Sequence, residues 1–427
     1  MTIASIQVEA SSPKSGRITA CRSCKCGELD TILDLGKQPL ANALLEPEQL
    51  GVQEPLFPLE VVLCQECGLL QVSEDVPPEI LFGQDYPYFS SFIPALLAHS
   101  REHALDLIAE RELGPDSLVV EIASNDGYLL KNFVEHGIPV LGIDPASGPA
   151  KAAMSIGVPT VIDFFGEGLA RTLVAEGKRA SVMLANNVLA HVNDINYFVE
   201  GFAILLADDG IAEFEFPYVR DLIESCAFDT IYHEHFFYYS LAALEPLMGR
   251  HGLYLNDAKK LDIHGGSLRL RVSKMPGKTD RLQKMQDEEA AMGLTGFDCY
   301  RDFGLRVEGI RDGLRTMLGA FRDDGKTIAA YGAAAKGATL LNYADLPVST
   351  IAYVVDRNTH KVGKFMPGVR LPIKPVDLLV TEPTDYLLIL PWNFADEIVV
   401  QQADYSKKGG TFLRAIPHPQ EIEVADV

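Results

Sequence analysis

The sequence predicts an α/β protein with a small Cys-rich N-terminal domain, a central Rossmann-like sheet and a second Rossmann-like unit at the C-terminus. Three observations carry this expectation. Two C-x-x-C pairs fall within the first 67 residues. From residue 117 apolar runs alternate with glycine turns and helical stretches, the pattern of buried parallel strands joined by crossover helices. After about residue 325 the same pattern starts again. A chain of 427 residues exceeds what one core supports, and the texture changes place the domains at 1–80, 81–258 and 259–427.

The first domain offers only short apolar stretches such as FPLEVVLC, so a staple is expected. Cys21 and Cys24 are followed after 39 residues by Cys64 and Cys67. Two such knuckles can place four thiolates tetrahedrally around Zn2+, and four sulfurs leave no open position, so the metal would be structural. Cys26 is an alternative to Cys24, but the x2 spacing favours the first pairing. Free buried cysteines would not cluster twice in this way. The absence of an apolar signal stretch in the first twenty residues points to the cytoplasm, where thiols bind metal rather than pair. No apolar run is long enough to span a membrane.

PALLAHSREHALDLIAER begins with proline and has helical spacing. SLVVEIA, PVLGID, SVMLAN and GIAEFEFP are the strands of the central sheet, and Ile195, Phe198, Val199, Phe202, Leu205 and Leu206 mark one face of a helix before the last of them. In VVEIASNDGYLL a strand ends at Glu121, and Ser124, Asn125 and Gly127 make a turn that a nucleoside can approach closely. Seventeen residues on, Asp144 ends the next strand, placed to accept hydrogen bonds from ribose. The full G-x-G-x-x-G is missing, so S-adenosylmethionine (SAM), a dinucleotide and a purely structural turn all remain open. Asn186, Asn187 and His191 follow the strand SVMLA on the same edge, as a ligand contact or a helix cap.

The segment IYHEHFFYYS places Tyr232, His233, Glu234 and His235 just beyond a strand end, where α/β enzymes build sites. Isolated histidines are commonly structural, but two flanking a glutamate favour chemistry; the spacing fits no zinc-protease motif. Tyr86, in QDYPYFSS between the first two domains, reads by itself as packing.

Beyond residue 260, SLRLRVS alternates as a half-exposed strand, and Phe303, Val307, Ile310, Leu314, Leu318 and Phe321 trace a long helix. TIAAYG, TIAYVVD, YLLILPW and TFLRAIP are the second set of strands. In YGAAAKGATLL, Gly332, Lys336 and Gly337 form a strand–turn–helix that reads as a phosphate cradle or as tight packing, with Asp356 closing the next strand.

Lys and Arg total 37 against 59 Asp and Glu, a net charge of −22 that argues against nucleic acid and anionic membranes as partners. A local cation can still hold a small anion, and Lys336, Arg269, Arg271, Lys361 and Lys364 are the candidates.

Taken in order, the paired C-x-x-C, E-x-x-S-N-D-G and Y-G-A-x-x-K-G motifs resemble those of the SAM-dependent C-methyltransferases of nucleotide-linked deoxysugars over nearly the whole chain. The resemblance implies a zinc-binding domain, a SAM methyltransferase sheet and a C-terminal domain that holds the sugar nucleotide. It implies a 4-keto-2,6-dideoxy sugar on thymidine diphosphate as acceptor, methylated at carbon 3, with roles in antibiotic or surface-glycan synthesis. The family's Y-x-E-H motif matches Tyr232, Glu234 and His235; its further histidine and tyrosine match His191 and Tyr86. Ala123 stands where many methyltransferases have glycine.

The residue chemistry agrees. Removing a proton from the carbon next to a ketone needs one base and one or two donors to the enolate oxygen. His235 is assigned as the base, Glu234 as the group that orients a histidine, and Tyr86, His191 and Tyr232 as donors. The competing readings are a non-sugar acceptor, an NAD-dependent sugar-nucleotide oxidoreductase and a non-catalytic zinc scaffold. Three compact domains suffice for a monomer.

Overall fold

The computed structural model describes residues 16–77, 81, 89–92, 94–261 and 266–423. The chain is α/β, and among these residues its strands form three main sheets and a short ribbon. The ribbon pairs β1 (Gly16–Arg17) with β5 (Glu74–Asp75). Between them lies an antiparallel meander of β2 (Leu29–Gln38), β3 (Phe57–Cys64) and β4 (Leu70–Val72).

The central sheet contains β6 (Val119–Ile122), β7 (Val140–Ile143), β8 (Thr160–Val161), β9 (Ala180–Asn186), β10 (Leu206–Pro217), β12 (Tyr254–Leu261) and β13 (Ser267–Ser273). Its order is β12-β13-β10-β9-β6-β7-β8, with β13 antiparallel to both neighbours and β10 to β8 all parallel. The chain runs outward from β6 to β8 and then crosses back to β9, so the switch point lies between the carboxyl ends of β6 and β9, where open α/β sheets bind ligands. Its core includes Phe202, Phe214, Phe216 and Leu270, all fully buried, each contributing about 1.5–3 kcal/mol relative to exposure. Leu206, expected on the preceding helix Ile195–Leu205, instead opens β10 beside Ala180. The strand SLRLRVS is β13, so this sheet continues past the boundary expected at 258.

The last sheet contains β14 (Ile328–Tyr331), β15 (Val354–Asp356), β16 (Ile373–Pro375), β17 (Tyr386–Ile389), β18 (Thr411–Arg414) and β19 (Gln420–Glu421). Its order, β16-β15-β14-β17-β18-β19, is parallel except for β19 and places a second switch point between β14 and β17.

Two features tie the parts together. The strand β11 (Phe237–Tyr238), directly after the Tyr232–His235 loop, pairs with β4 and becomes the fourth strand of the N-terminal sheet. The helix Phe297–Asp323 buries Tyr300, Phe303, Val307, Ile310, Leu314 and Leu318 in one core with Leu33, Leu59 and Val61 of the meander. Gly304 permits that contact, since a Cβ there would lie 2.4 Å from the Ile32 carbonyl oxygen. No described helix is long and apolar enough to cross a membrane.

Candidate active site and cofactor sites

In the N-terminal domain two tight turns present the cysteines. Lys25 N–H donates to the Cys21 carbonyl and Gly68 N–H to the Cys64 carbonyl. The sulfurs of Cys21, Cys24, Cys64 and Cys67 lie within 4.8 Å of one another, with Cys21–Cys67 at 3.6 Å and Cys24–Cys64 at 3.4 Å. A zinc with four Zn–S bonds of ~2.3 Å sets sulfur separations of roughly 3.8 Å, so the group fits the metal. Cys26 lies outside this cluster, its sulfur accepting from Glu28 N–H.

At the first switch point the turn after β6 is wound through left-handed backbone: Ala123 has φ 56°, Asn125 50° and Gly127 77°, and Asn187 after β9 has φ 54°. Non-glycine residues carry a cost of about 1–2 kcal/mol in this region, least for Asn. Such strain gathers at sites the surroundings must hold open. Asp144 secures the turn, accepting from Asn125 N–H (2.9 Å) and Ala146 N–H (2.8 Å). Asn125 and Asp126 in turn accept from the N–H groups of Ser90 and Ser91. Glu121 Oε2, Ser124 Oγ and Asp126 Oδ1 are buried without a hydrogen-bond partner among the described residues. Burial, reinforced by Asp144, Asp126 and Glu215, holds the Glu121 carboxyl well above the usual range. A buried acidic group with orphaned polar atoms suits a cation that also donates hydrogen bonds, and SAM brings a sulfonium charge and an ammonium that donates. Asn187 is exposed at the rim, its N–H donating to the Glu215 carbonyl.

The Tyr232–His235 loop is pinned from both sides. Phe236 N–H donates to Ala190 O of the segment after β9, and Phe236 O accepts from Val72 N–H of β4. His235 Nδ1 lies 2.9 Å from the Thr230 carbonyl, which can only accept, so Nδ1 carries the proton. Nε2 is left with a lone pair toward Tyr232 Oη at 2.9 Å. The His191 ring meets His235 edge to face at 4.8 Å, and His191 Nδ1 donates to the Glu234 carbonyl at 2.7 Å. Both rings keep a partly exposed side, yet burial lowers both pKa values, that of His235 to about 3, with His191 adding to the effect.

Glu234 departs from the expected arrangement: its carboxylate meets neither histidine but accepts from Asn42 Nδ2 of the N-terminal domain at 3.1 Å. Burial raises its pKa, and Oε2 lacks a partner among the described residues. It is the backbone carbonyl of Glu234 that orients His191. His233 is a packing residue, edge-on to Phe57 and 3.1 Å from Pro58 O. Tyr86 lies outside the described residues.

At the second switch point Gly332 has φ 93°, and a Cβ there would lie 2.6 Å from the Pro391 ring, so only glycine fits the turn. Lys336 and Gly337 lie in the first turn of the helix Ala335–Ala344, and Gly337 packs on Leu390. Lys336 Nζ donates to Asn393 Oδ1 (2.8 Å) and sits 5.0 Å from the centre of the Trp392 ring. Asp356 holds the turn by accepting from Ala333 N–H at 2.7 Å, and Lys361 Nζ donates to Ala333 O at 2.7 Å. The other suggested cations serve elsewhere. Arg269 and Arg271 pair with Glu215 and Glu213 across β13 and β10 (2.6 and 2.7 Å), and Lys364 pairs with Glu46 (2.8 Å). Burial alone would raise the two glutamates, but with His99 and His103 added their partners hold them at about 2.

Comparison with known proteins decides among the remaining classes. Residues 21–82, 92–257 and 262–417 match families described respectively as a zinc binding domain, a methyltransferase domain and a C-methyltransferase C-terminal domain. The C-methyltransferase NovU of Streptomyces niveus is 36% identical over 411 residues, spanning 95% of this chain and 97% of that protein. The chain belongs to the SAM-dependent, zinc-containing C-methyltransferases. Among solved structures, the SAM-bound magnesium protoporphyrin IX methyltransferase of Synechocystis is 15% identical, covering 42% of this chain and 79% of its own at TM-score 0.33. A SAM-dependent methyltransferase of Clostridium acetobutylicum is 10% identical, at 42% and 92% coverage and TM-score 0.33. In this C-methyltransferase the oxidoreductase and scaffold readings give way to methyl transfer, with SAM and zinc as its cofactors.

Sequence reasoning missed Asn42, Asp229, Trp392 and Asn393. Trp392 carried a signal: it is the only tryptophan of the chain and follows the end of β17 by three residues, at the second switch point.

Proposed function

We propose that this C-methyltransferase acts on a nucleotide-linked 4-keto-deoxysugar, methylating the carbon next to the ketone, carbon 3, through an enolate. The observation that carries the reading is the tautomer of His235: Nδ1–H is spent on Thr230 O, which leaves the basic lone pair on Nε2, 2.9 Å from the Tyr232 hydroxyl on a partly exposed ring. His235 takes the α-proton at Nε2. Tyr232 donates toward the developing enolate oxygen, with Tyr86 assigned the same role by its motif; His191 departs from its expected donor role, since its Nδ1–H is spent on the Glu234 carbonyl and burial favours the neutral ring, whose Nε2 has no proton to give. Glu234, its pKa raised by burial and its carboxyl held by Asn42, is assigned a supporting role beside them. SAM, held by Glu121, Ser124, Asn125, Gly127, Asp144 and Asn187, supplies an electrophilic methyl group.

The acceptor's diphosphate is assigned to the turn at Gly332 and Gly337, with Lys336 as its cation and Asp356 toward the sugar or base. Zinc is assigned to Cys21, Cys24, Cys64 and Cys67, where it braces the sheet that carries Asn42 and receives β11. The test is methyl transfer from labelled SAM to a panel of keto-sugar nucleotides by the wild type and by His235→Asn. The expected result is transfer by the wild type only, with SAM affinity equal in both. Near-normal turnover by the variant removes His235 as the base; a co-purifying acceptor that is not a nucleotide sugar removes the substrate class.

A further inference from the structure

Residues 229–231, immediately before the Tyr232–His235 loop, make three consecutive bonds to different partners. The Asp229 side chain, completely buried, accepts at Oδ2 from Trp392 Nε1–H (2.9 Å). The Thr230 carbonyl accepts from His235 Nδ1 (2.9 Å), and the Ile231 carbonyl accepts from Thr339 Oγ1 of the helix Ala335–Ala344 (3.1 Å). The first and third partners belong to the C-terminal unit; the middle one is the imidazole assigned as base. Asp229 Oδ1 has no partner among the described residues, so Trp392 is the side-chain hydrogen bond that settles where this carboxyl lies. Trp392 also forms the face on which Lys336 rests, and Asn393 beside it takes the Lys336 ammonium.

We propose that Asp229 and Trp392 are positioning residues through which the C-terminal unit fixes the tautomer and aim of His235. The Trp392–Asp229 bond anchors one end of the peptide whose Thr230 carbonyl selects the Nδ1–H tautomer, and Thr339 anchors the other. An anion drawing Lys336 away from Asn393 and Trp392 therefore acts on the same element that aims the base. This last link rests on the nucleotide reading of the C-terminal unit; the tautomer claim stands on the free protein alone.

The experiment uses the full chain with 15N-labelled histidine, the His235 signals being assigned by their loss in His235→Asn. In the wild type the imidazole 15N shifts report the Nδ1–H tautomer. Trp392→Phe, which keeps an aromatic face for Lys336 but removes the donor, gives a mixed tautomer. It lowers kcat for methyl transfer by about 10- to 100-fold, the cost of a base misplaced by about an ångström, with KM for SAM unchanged. Asp229→Asn still accepts from Trp392 and retains the wild-type tautomer. Asp229→Ala reproduces Trp392→Phe, and if it does not fold, Trp392→Phe decides. Unaltered His235 signals in Trp392→Phe overturn the proposal, as does an Asp229→Asn variant with a mixed tautomer. A wild type that transfers methyl to no keto-sugar nucleotide removes the acceptor reading instead, while the tautomer ratio still decides the positioning role.

Discussion

The two Rossmann-like sheets present the same geometric opening, a switch point between strand ends, and line it with different chemistry. Between β6 and β9 the lining is acidic: Glu121, Asp126 and Asp144, with Glu215 close enough to raise the Glu121 pKa. Between β14 and β17 Lys336 and Lys361 stand beside the start of a helix with Asn393 and the Trp392 ring, in mixed company with the carboxyls of Asp356 and Asp229. Topology provides the place, and in the function proposed above local charge selects the occupant, a cation in the first and an anion in the second. The net charge of −22 therefore says nothing about the second opening.

The largest separation of the two is expected from Asp144→Ala. This carboxylate holds the turn through two backbone N–H groups and faces the proposed ribose position. Losing a charged acceptor there costs roughly 1.5–3 kcal/mol per bond. Isothermal titration should show SAM affinity down by ~10- to 100-fold, with nucleoside diphosphate affinity unchanged. Equal losses for both ligands would mean that the two openings are not independent.

Lys336→Gln is the reciprocal variant. Burial has already lowered the lysine pKa, and Asp229 favours its charged form. Removing the charge should weaken nucleoside diphosphate binding by about tenfold while SAM binding holds, as one charge-assisted contact warrants. If both affinities survive, the anion contacts lie with Lys361 or with the backbone of the turn.

The acid lining also fixes the sign of a pH effect. In the free protein burial and its acidic neighbours raise the Glu121 pKa well above the ordinary carboxylate value. A bound cation favours the carboxylate, so its pKa falls on binding and a proton leaves. SAM affinity should then rise with pH until the free carboxyl is ionised, and titrations in buffers of different ionisation enthalpy should show proton release. His235 behaves oppositely in its consequence for rate. Lowered to about 3, it stays unprotonated as pH falls, so its protonation should produce no acid limb near 6.5 in kcat/KM.

How much of this could be read from the chain follows from the range of each interaction. The cysteine knuckles, the strand Val119–Ile122 and the Y-x-E-H segment are local patterns, and the fold gathers the four sulfurs and forms that strand where the spacing points. Glu234 shows the limit: its motif is visible, but its partner Asn42 lies 192 residues away. The same holds for Trp392, 163 residues from Asp229. Arg269 and Arg271 look like free cations in an alternating strand, because nothing in that strand reveals that β10 places Glu215 and Glu213 opposite them. Likewise β11 looks like part of the catalytic segment and turns out to be the edge strand of the zinc domain.

The smallest expected effect sharpens the comparison at one backbone position. The turn after β14 has glycine at its left-handed residue, whereas the turn after β6 has Ala123 at φ 56°. A methyl group there costs roughly 1 kcal/mol relative to glycine, partly offset because glycine loses more entropy on folding. Ala123→Gly should therefore change the melting temperature by no more than a few degrees. SAM affinity should stay within a factor of about three, since the Asp144 bonds to Asn125 and Ala146 continue to hold the loop. A larger gain in stability with a loss of SAM affinity would show that Ala123 is strained in order to hold the cofactor turn open. The acid-lined opening would then be preorganised by backbone as well as by charge, which a glycine turn such as that at Gly332 does not require.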